Sequence, residues 1–152
     1  MNIRKMLPLA LLYADEEHQI DGRTRFQKLI FLMQMEGNLD ELAPTDMYRF
    51  ESYDYGPFSS TLYDDLDIHI ERGLIDDSKE ELDEEDDIVK YKYHLEPEGQ
   101  EFVEGRLSEG MLEPIINEAK RIVGEYSDMP LPELIDLVYS KYPDYAENSV
   151  LR

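Results

Sequence analysis

The chain has 152 residues, 41% of them hydrophobic, which fits one folded domain and excludes global disorder. It has no cysteine, so disulfide bonds, thiolate metal ligands and a cysteine nucleophile are excluded, and a reducing compartment is expected. Its 36 acidic residues outnumber its 15 basic ones, and a formal charge of −21 predicts repulsion from polyanions.

The first segment predicts a helix from Ile3 to about Ala14. Its apolar residues recur at helical spacing, and Asn2 stands where a side chain can cap the first turn. Two basic residues followed by an apolar run also resemble a secretion signal, but Pro8 and the acids beyond it favour a buried helix. No segment approaches the roughly 18 apolar residues of a membrane span.

A second helix is predicted to start near Arg25. Thr24 and Gln27 have the spacing of a capping box, in which two side chains bond backbone amides at the helix start. The apolar residues cover much of the helix surface, so we expect this helix at the centre of the core. They are Phe26, Leu29, Ile30, Phe31, Leu32 and Met33.

The next segment predicts a strand, a turn and a third helix. Residues 47–53 alternate as in a short half-buried strand. Gly56 tolerates a positive φ and Pro57 fixes φ at a helix start, where Ser59 or Ser60 can act as the cap.

The third helix is predicted over Thr61–Arg72, with Gly73 ending it. Its expected inward residues are Leu62, Leu66 and Ile70. The residues expected to face water are Asp64, Asp65, Asp67 and Glu71.

A hairpin with an acidic tip is predicted next. Residues 76–87 contain nine acids and one base, so we expect a solvated, mobile block. Residues 88–95 alternate in polarity and are expected to pair with Leu74–Asp77. Pro97 then starts a helix that reaches about Arg106.

The order of these elements predicts an α+β fold. Three helices, a hairpin and a helix alongside it follow the order of a winged helix, a form of helix-turn-helix domain. We expect one winged-helix-like domain over residues 1–152, with a core at about 3–106. A C-terminal extension at about 108–145 should contain two more helices, one ending near Gly124 and one stopped by Pro143.

Several runs of the chain resemble known families. YHLEPEGQEFV resembles the Y-x-L-T-x-x-G segment that closes the wing of many winged-helix regulators, with Glu96 in the threonine position. TRFQKLIFLMQ, YRFESYDYGPFSSTLYDDL, ERGLI and VYSKYPDYAENS resemble the uncharacterised YwgA-type proteins and, more distantly, the Panacea domain of SocA-like antitoxins. This resemblance covers nearly the whole chain and implies a non-enzymatic protein that binds a partner protein.

An aromatic set near the predicted turn is one candidate site. Tyr53, Tyr55 and Phe58 are candidates for docking a partner protein, because aromatic side chains dominate interface hot spots. Alternatively, Tyr55 and Phe58 lock the corner between strand and helix into the core.

A basic set is the other candidate. Arg23, Arg25 and Lys28, with Arg49 if it folds nearby, are the candidates for contact with nucleic acid. Alternatively, these cations pair internally with the abundant acids. The third helix, where such a fold commonly enters the major groove, would oppose phosphate with like charges.

No catalytic or metal constellation is recognisable. The three histidines lack metal-ligand spacing, and the serine pair at 59–60 lacks a nucleophile elbow. We therefore predict no enzyme, no cofactor and no metal.

Together these patterns predict a cytoplasmic, antitoxin-like regulatory module that binds a toxin or other basic protein, since surface acids steer basic partners. The alternative is a winged-helix transcriptional regulator that binds DNA in high salt, as a homodimer through its C-terminal helices.

An acid-rich, lysine-poor composition is also typical of halophilic proteins, the alternative being an ordinary acidic protein. We predict that the melting temperature rises with KCl, because the screening length falls to about 3 Å near 1 M and weakens self-repulsion. Calorimetry over a KCl series checks this. Greatest stability in the most dilute buffer would contradict a halophilic origin.

Overall fold

A computed structural model describes residues 2–83, 88–110 and 112–149. These residues form α-helices and short antiparallel strands, so the predicted α+β class is confirmed. None of their helices is long and apolar enough to cross a membrane. The helices are α1 (Ile3–Ala14), α2 (Arg23–Glu36), α3 (Leu39–Leu42), α4 (Ser60–Glu71), α5 (Pro97–Leu107), α6 (Glu113–Tyr126) and α7 (Leu131–Lys141). The strands are β1 (Gln19–Asp21), β2 (Glu51–Tyr53), β3 (Gly56–Phe58), β4 (Ile75–Asp83) and β5 (Ile88–Leu95), and a 3₁₀ turn spans Pro143–Ala146.

Helix α2 lies at the centre of the core, as its apolar pattern predicted. Every residue from Phe26 to Gln34 is buried, so the helix is enclosed on all sides. Helices α1, α6 and α7 pack around it, and one cluster of buried apolar residues includes side chains from all four helices. The C-terminal helices therefore complete the same core that the N-terminal helices begin.

The start of α2 differs from the prediction. The helix begins at Arg23, and its N-cap is Gly22, which has no side chain to bond the first amides. Gln27 makes no capping bond, because its amide accepts from the Ser59 amide at 3.0 Å and donates to the Ser59 carbonyl at 2.9 Å. The predicted capping box with Thr24 is therefore wrong: the buried backbone at Ser59 needs both partners more than the helix start does.

The three-stranded antiparallel sheet has the order β1–β5–β4. The predicted hairpin is present, with Tyr93 and Leu95 of β5 buried on its inner face. Strand β1 was not predicted, yet its Ile20 is buried directly opposite Tyr93. This short edge strand ties the loop after α1 to the hairpin.

The acidic block is more regular than expected. Residues 76–83 were predicted to be mobile but form most of β4, while residues 84–87 of the expected tip lie outside the described residues. In the register, Asp76 stands opposite His94. Lys79 stands opposite Tyr91, and its ammonium lies 5.4 Å from the ring centre. Such cross-strand pairs stabilise strands that carry many charges.

Gly99 allows α5 to pack closely against the start of the β4–β5 hairpin. Pro97 is the first residue of α5, as predicted. A Cβ atom at Gly99 would lie only 2.3 Å from the carbonyl oxygen of Leu74, so this turn of helix can approach β4 only with glycine.

Helix α4 buries two polar residues that the sequence pattern assigned to solvent or to no role. Leu62 and Leu66 are buried as predicted, and Ile70 is half-buried. Asp65 was expected to face water but is only 1% exposed, so that prediction is wrong. His69 is also buried; its Nε2 lies 2.8 Å from the Lys5 carbonyl, and burial lowers its pKa.

Asp65 joins α4 to α1 through charged hydrogen bonds. Its carboxylate accepts from Arg4 Nε at 2.9 Å and Nη2 at 3.2 Å, and from the Tyr48 hydroxyl at 2.7 Å. Burial and then the nearby Asp65 carboxylate raise the pKa of Tyr48 well above its ordinary value. The physical reason for burying Asp65 is therefore that a cation and a hydroxyl replace its water.

We predict that Asp65→Ala lowers the free energy of unfolding by about 3 kcal/mol, because it strands the Arg4 charge and the Tyr48 hydroxyl. Asp64→Ala, at the exposed neighbouring position, is the matched control and should stay within about 0.5 kcal/mol of wild type. Urea denaturation at neutral pH measures both. Equal losses in the two variants would contradict a structural role for the buried carboxylate.

Candidate functional site

A cleft of about 1160 Å³ opens beside the N-terminus of α2. Its lining comes from the loop after α1, the start of α2, the β2–β3 hairpin, β5 and the end of α6. The structure places residues of both predicted sets here, whereas the exposed Arg49 is not part of the lining. The candidates that line it are Arg23, Arg25, Lys28, Tyr53, Tyr55 and Phe58.

A continuous series of ring contacts connects the two sets. The ring of Tyr53 stacks on Phe58 with centroids 5.0 Å apart, and Phe58 meets Tyr63 edge to face at 5.5 Å. The Arg23 guanidinium carbon then lies 4.5 Å from the ring centre of Tyr63 and 4.0 Å from that of Tyr91. We call these five residues the aromatic row.

Two tyrosines of the hairpin are exposed at the edge of the cleft. Tyr53 is 53% exposed and Tyr55 is 47% exposed. The alternative interpretation, in which Tyr55 is locked into the core, is therefore wrong for this residue, while Phe58 is half-buried. Large rings exposed to water are typical of a docking surface.

The hairpin that presents these tyrosines is fixed from behind by the C-terminal segment. Ser52 Oγ donates to the Tyr145 carbonyl at 3.2 Å, and Asn148 Nδ2 donates to the Ser52 carbonyl at 3.2 Å. The Tyr145 ring also packs edge to face on Phe31 of α2, with centroids 4.8 Å apart. The exposed rings are thus mounted on a braced turn.

Gly56 is required at the turn of this hairpin. Its φ is +100°, which residues with a Cβ rarely adopt, and an added Cβ would lie 2.9 Å from the Tyr139 ring. The same atom would lie 3.4 Å from Lys28 Cε. The tight turn therefore lets the hairpin close over both the tyrosine and the buried lysine.

Arg25 and Lys28 are satisfied by backbone carbonyls. Arg25 Nη1 donates to the Ser127 carbonyl at 3.2 Å and to the Met129 carbonyl at 2.7 Å, at the end of α6. Lys28 Nζ donates to the Pro57 carbonyl at 3.1 Å. A cation near the C-terminus of a helix such as α6 is electrostatically favourable.

Arg23 has a third kind of partner. Its Nε donates to the Tyr93 hydroxyl at 3.1 Å, and its guanidinium lies against the rings of Tyr63 and Tyr91. Within the described ranges, none of Arg23, Arg25 and Lys28 forms an ion pair with a carboxylate. The interpretation that these three cations pair with acids is therefore wrong.

Burial changes the acidity of these groups. Lys28 is only 2% exposed, and loss of solvation lowers its pKa to about 8. Burial also lowers the pKa of Arg25, although the charges of Asp21 and Asp128 oppose that shift. The loss of water around the Lys28 ammonium thus disfavours its protonated form.

Acidic residues also line the cleft. No group of three histidine, aspartate or glutamate side chains in the part of the chain that the structure describes could hold a metal ion. The cleft therefore combines cationic and aromatic side chains with acidic ones. The acidic lining residues are Asp15, Glu16, Glu17, Asp21, Asp54 and Asp128.

Sequence reasoning missed two residues of this site. Tyr63 of α4 and Tyr91 of β5 were not among the predicted site residues, and the rings of both lie against the Arg23 guanidinium. The only signal in the sequence is that both are tyrosines next to apolar positions, where a ring can lie beside a cation.

No family model, curated protein or solved structure matches the chain. The resemblance to YwgA-type proteins and to the Panacea domain therefore stays a prediction.

We predict that Lys28→Met alters how stability depends on pH. The folded pKa of about 8 lies below the unfolded value of 10.5, so between these values the unfolded chain binds more protons and wild-type stability rises with pH. Relative to Lys28→Met, the wild-type free energy of unfolding should increase by about 2 kcal/mol from about pH 7 to about pH 10.

Urea denaturation across this pH range measures the difference between the two proteins. Lys120→Met, at an exposed position of α6, is the matched control and should show no such trend. A difference between wild type and Lys28→Met that stays constant with pH would contradict the buried ammonium.

Proposed function

We propose that this protein is a non-enzymatic regulatory module that binds another protein at the cleft. One observation is central: Tyr53 and Tyr55 are about half exposed on a braced hairpin beside a large concave surface. Tyrosine supplies large contact area with few rotatable bonds, and it is enriched at binding hot spots. A surface of this kind is ready to dock a partner.

The brace behind the hairpin supports this proposal energetically. Association costs free energy when loops must be ordered, and a preordered loop avoids that cost. The bonds from Tyr145 and Asn148 to Ser52 hold the hairpin before any partner arrives. The exposed rings then need little rearrangement to make contact.

The charge of the protein favours a basic partner. A net charge of −21 and the acidic lining of the cleft attract cationic surfaces and accelerate their encounter. The resemblance to antitoxins implies a toxin as one such partner. The partner proposed here is therefore a basic protein, recognised by exposed tyrosines within an acidic surround.

The scaffold that we propose is a winged helix. The sheet order β1–β5–β4, with β1 between the first two helices and a long β4–β5 hairpin after α4, agrees with this assignment. One feature departs from a helix-turn-helix, whose turn has about 3–4 residues. Residues 37–59, including α3 and the β2–β3 hairpin, separate α2 from α4.

The charges on α4 and the hydrogen bonds of the basic residues argue against the alternative, a DNA-binding regulator. The exposed side of α4 presents Asp64, Asp67 and Glu71, which would repel phosphate. Arg25 and Lys28 already bond backbone carbonyls inside the protein, so only Arg49 of the predicted basic set is exposed. The contacts therefore favour a protein partner.

We predict that Tyr53→Ser combined with Tyr55→Ser weakens partner binding by ten-fold or more, since two hot-spot rings are lost. Partners are captured from a lysate of the source cells in high salt, and the dissociation constant of the purified complex is measured by calorimetry. Leu42→Ser, at a 38% exposed position outside the cleft lining, is the control and should bind like wild type.

Recovery of no stoichiometric partner, or equal binding by both variants, would contradict the proposal. A gel shift over a KCl series tests the alternative in the same samples. Binding to duplex DNA that disappears in Arg49→Glu would replace the protein partner with DNA.

A further inference from the structure

We infer that the cleft at the start of α2 binds a small organic anion with a planar ring, of the class of aromatic carboxylates and nucleoside monophosphates. Arg23 would hold the oxyanion, and rings of the lining such as Tyr53 and Phe58 would contact the planar group. This ligand site goes beyond the proposed partner docking and does not depend on it.

Arg23 has the geometry of an anion receptor. Its guanidinium carbon lies close to the rings of Tyr63 and Tyr91, and Nε donates to Tyr93 Oη. No hydrogen bond from its two terminal nitrogens to another described residue is seen, so their N–H bonds can bind a further partner. Two parallel N–H bonds fit a carboxylate or a phosphate in a bidentate manner.

The absence of an acidic partner supports this role. The chain has 36 acidic residues for 15 basic ones, so a cation with no carboxylate partner among the described residues is unexpected. Other cations, such as Arg4, Arg106 and Arg121, do form ion pairs. Yet across residues 2–83, 88–110 and 112–149 Arg23 has no carboxylate partner, which leaves its charge for a ligand.

Lys28 adds a second positive charge to the same cleft. It is buried to 2% exposure and uses one of its three N–H donors on the Pro57 carbonyl. A buried ammonium is costly unless an opposite charge accompanies it. An anion in the cleft would supply that charge and raise the lowered pKa of Lys28 toward its ordinary value.

The first turn of α2 adds to the attraction of the cleft for an anion. Gly22 provides no capping side chain, so the first backbone amides of this 14-residue helix are left for another acceptor. The positive end of the helix dipole lies at the turn that carries Arg23. The helix start, Arg23 and Lys28 thus all contribute positive charge to one cleft.

The rest of the lining selects the kind of anion. Tyr53, Phe58 and the other rings offer flat apolar surface, and the cleft exceeds the size of typical ligand pockets, about 300–1,000 Å³. The acidic residues in the lining oppose every anion, and they oppose long polyanions such as nucleic acid most strongly because the repulsion grows with charge. A small anion with one charged end and one flat end satisfies both conditions.

Titration of the wild-type protein with five probes tests this inference. Adenosine 5′-monophosphate and benzoate carry both features, phosphate and acetate carry only charge, and adenosine carries only a ring. We expect at least one ring-bearing anion to bind at least ten-fold more tightly than its ring-free and charge-free counterparts. The better of the two distinguishes phosphate from carboxylate as the recognised group.

Amide shifts in NMR spectra locate the site without any variant. Binding should move the amide signals of residues 23–25, at the start of α2. Arg23→Gln should weaken binding at least ten-fold, and Lys28→Met should weaken it several-fold. Arg106→Gln, at a half-exposed ion pair on α5 outside the cleft lining, is the matched control and should bind like wild type.

Three outcomes would overturn the inference: no probe binds below about 10 mM, adenosine binds as well as its monophosphate, or the amides of residues 23–25 do not move on binding. If Arg23→Gln fails to fold, Lys28→Met and the wild-type shifts still decide. Partner binding by the tyrosines is measured separately, so either proposal can fail alone.

Discussion

Burial of α2 from Phe26 to Gln34 is the constraint on which the rest of the structure depends. A helix enclosed on all sides must satisfy its own polar side chains, and three of them bond the backbone of the segment before α4. Gln34 pairs with both backbone groups of Tyr48, Gln27 with both of Ser59, and Lys28 with the Pro57 carbonyl. Side chains of the helix thus supply the backbone hydrogen bonds that a neighbouring strand would otherwise provide. They also fix the position of the β2–β3 hairpin, which lines the cleft.

Much of the fold follows from apolar spacing. Periodicity predicted α1, the central position of α2 and the paired strand that ends in Leu95, because each buries a regular row of apolar side chains. Some of the misses are polar residues in buried positions. Asp65 lies three residues after Leu62, on the same helix face, but a pattern based on polarity assigns it to water. Only its partners on α1 and before β2 make burial favourable, and these partners are distant in the sequence.

The site was predictable as parts but not as a whole. Charge density identified Arg23 and its neighbours, and aromatic density identified the hairpin tyrosines, yet nothing local indicates that one cleft contains both. Tyr63 and Tyr91 join the sets through a cation–ring contact, which leaves no periodic trace. The partners of Arg25 are backbone carbonyls, and these cannot be predicted from the sequence because every residue has a carbonyl. Arg49 was grouped with them by charge alone and lies elsewhere on the surface.

The brace on the β2–β3 hairpin has a consequence for biosynthesis. Ser52 bonds Tyr145 and Asn148, which follow it by 93 and 96 residues. When Ser52 leaves the ribosome during synthesis, the segment that contains Tyr145 and Asn148 has not yet been made. Until that segment emerges, the nascent turn and its two tyrosines lack their support, so this surface is among the last parts of the molecule to mature.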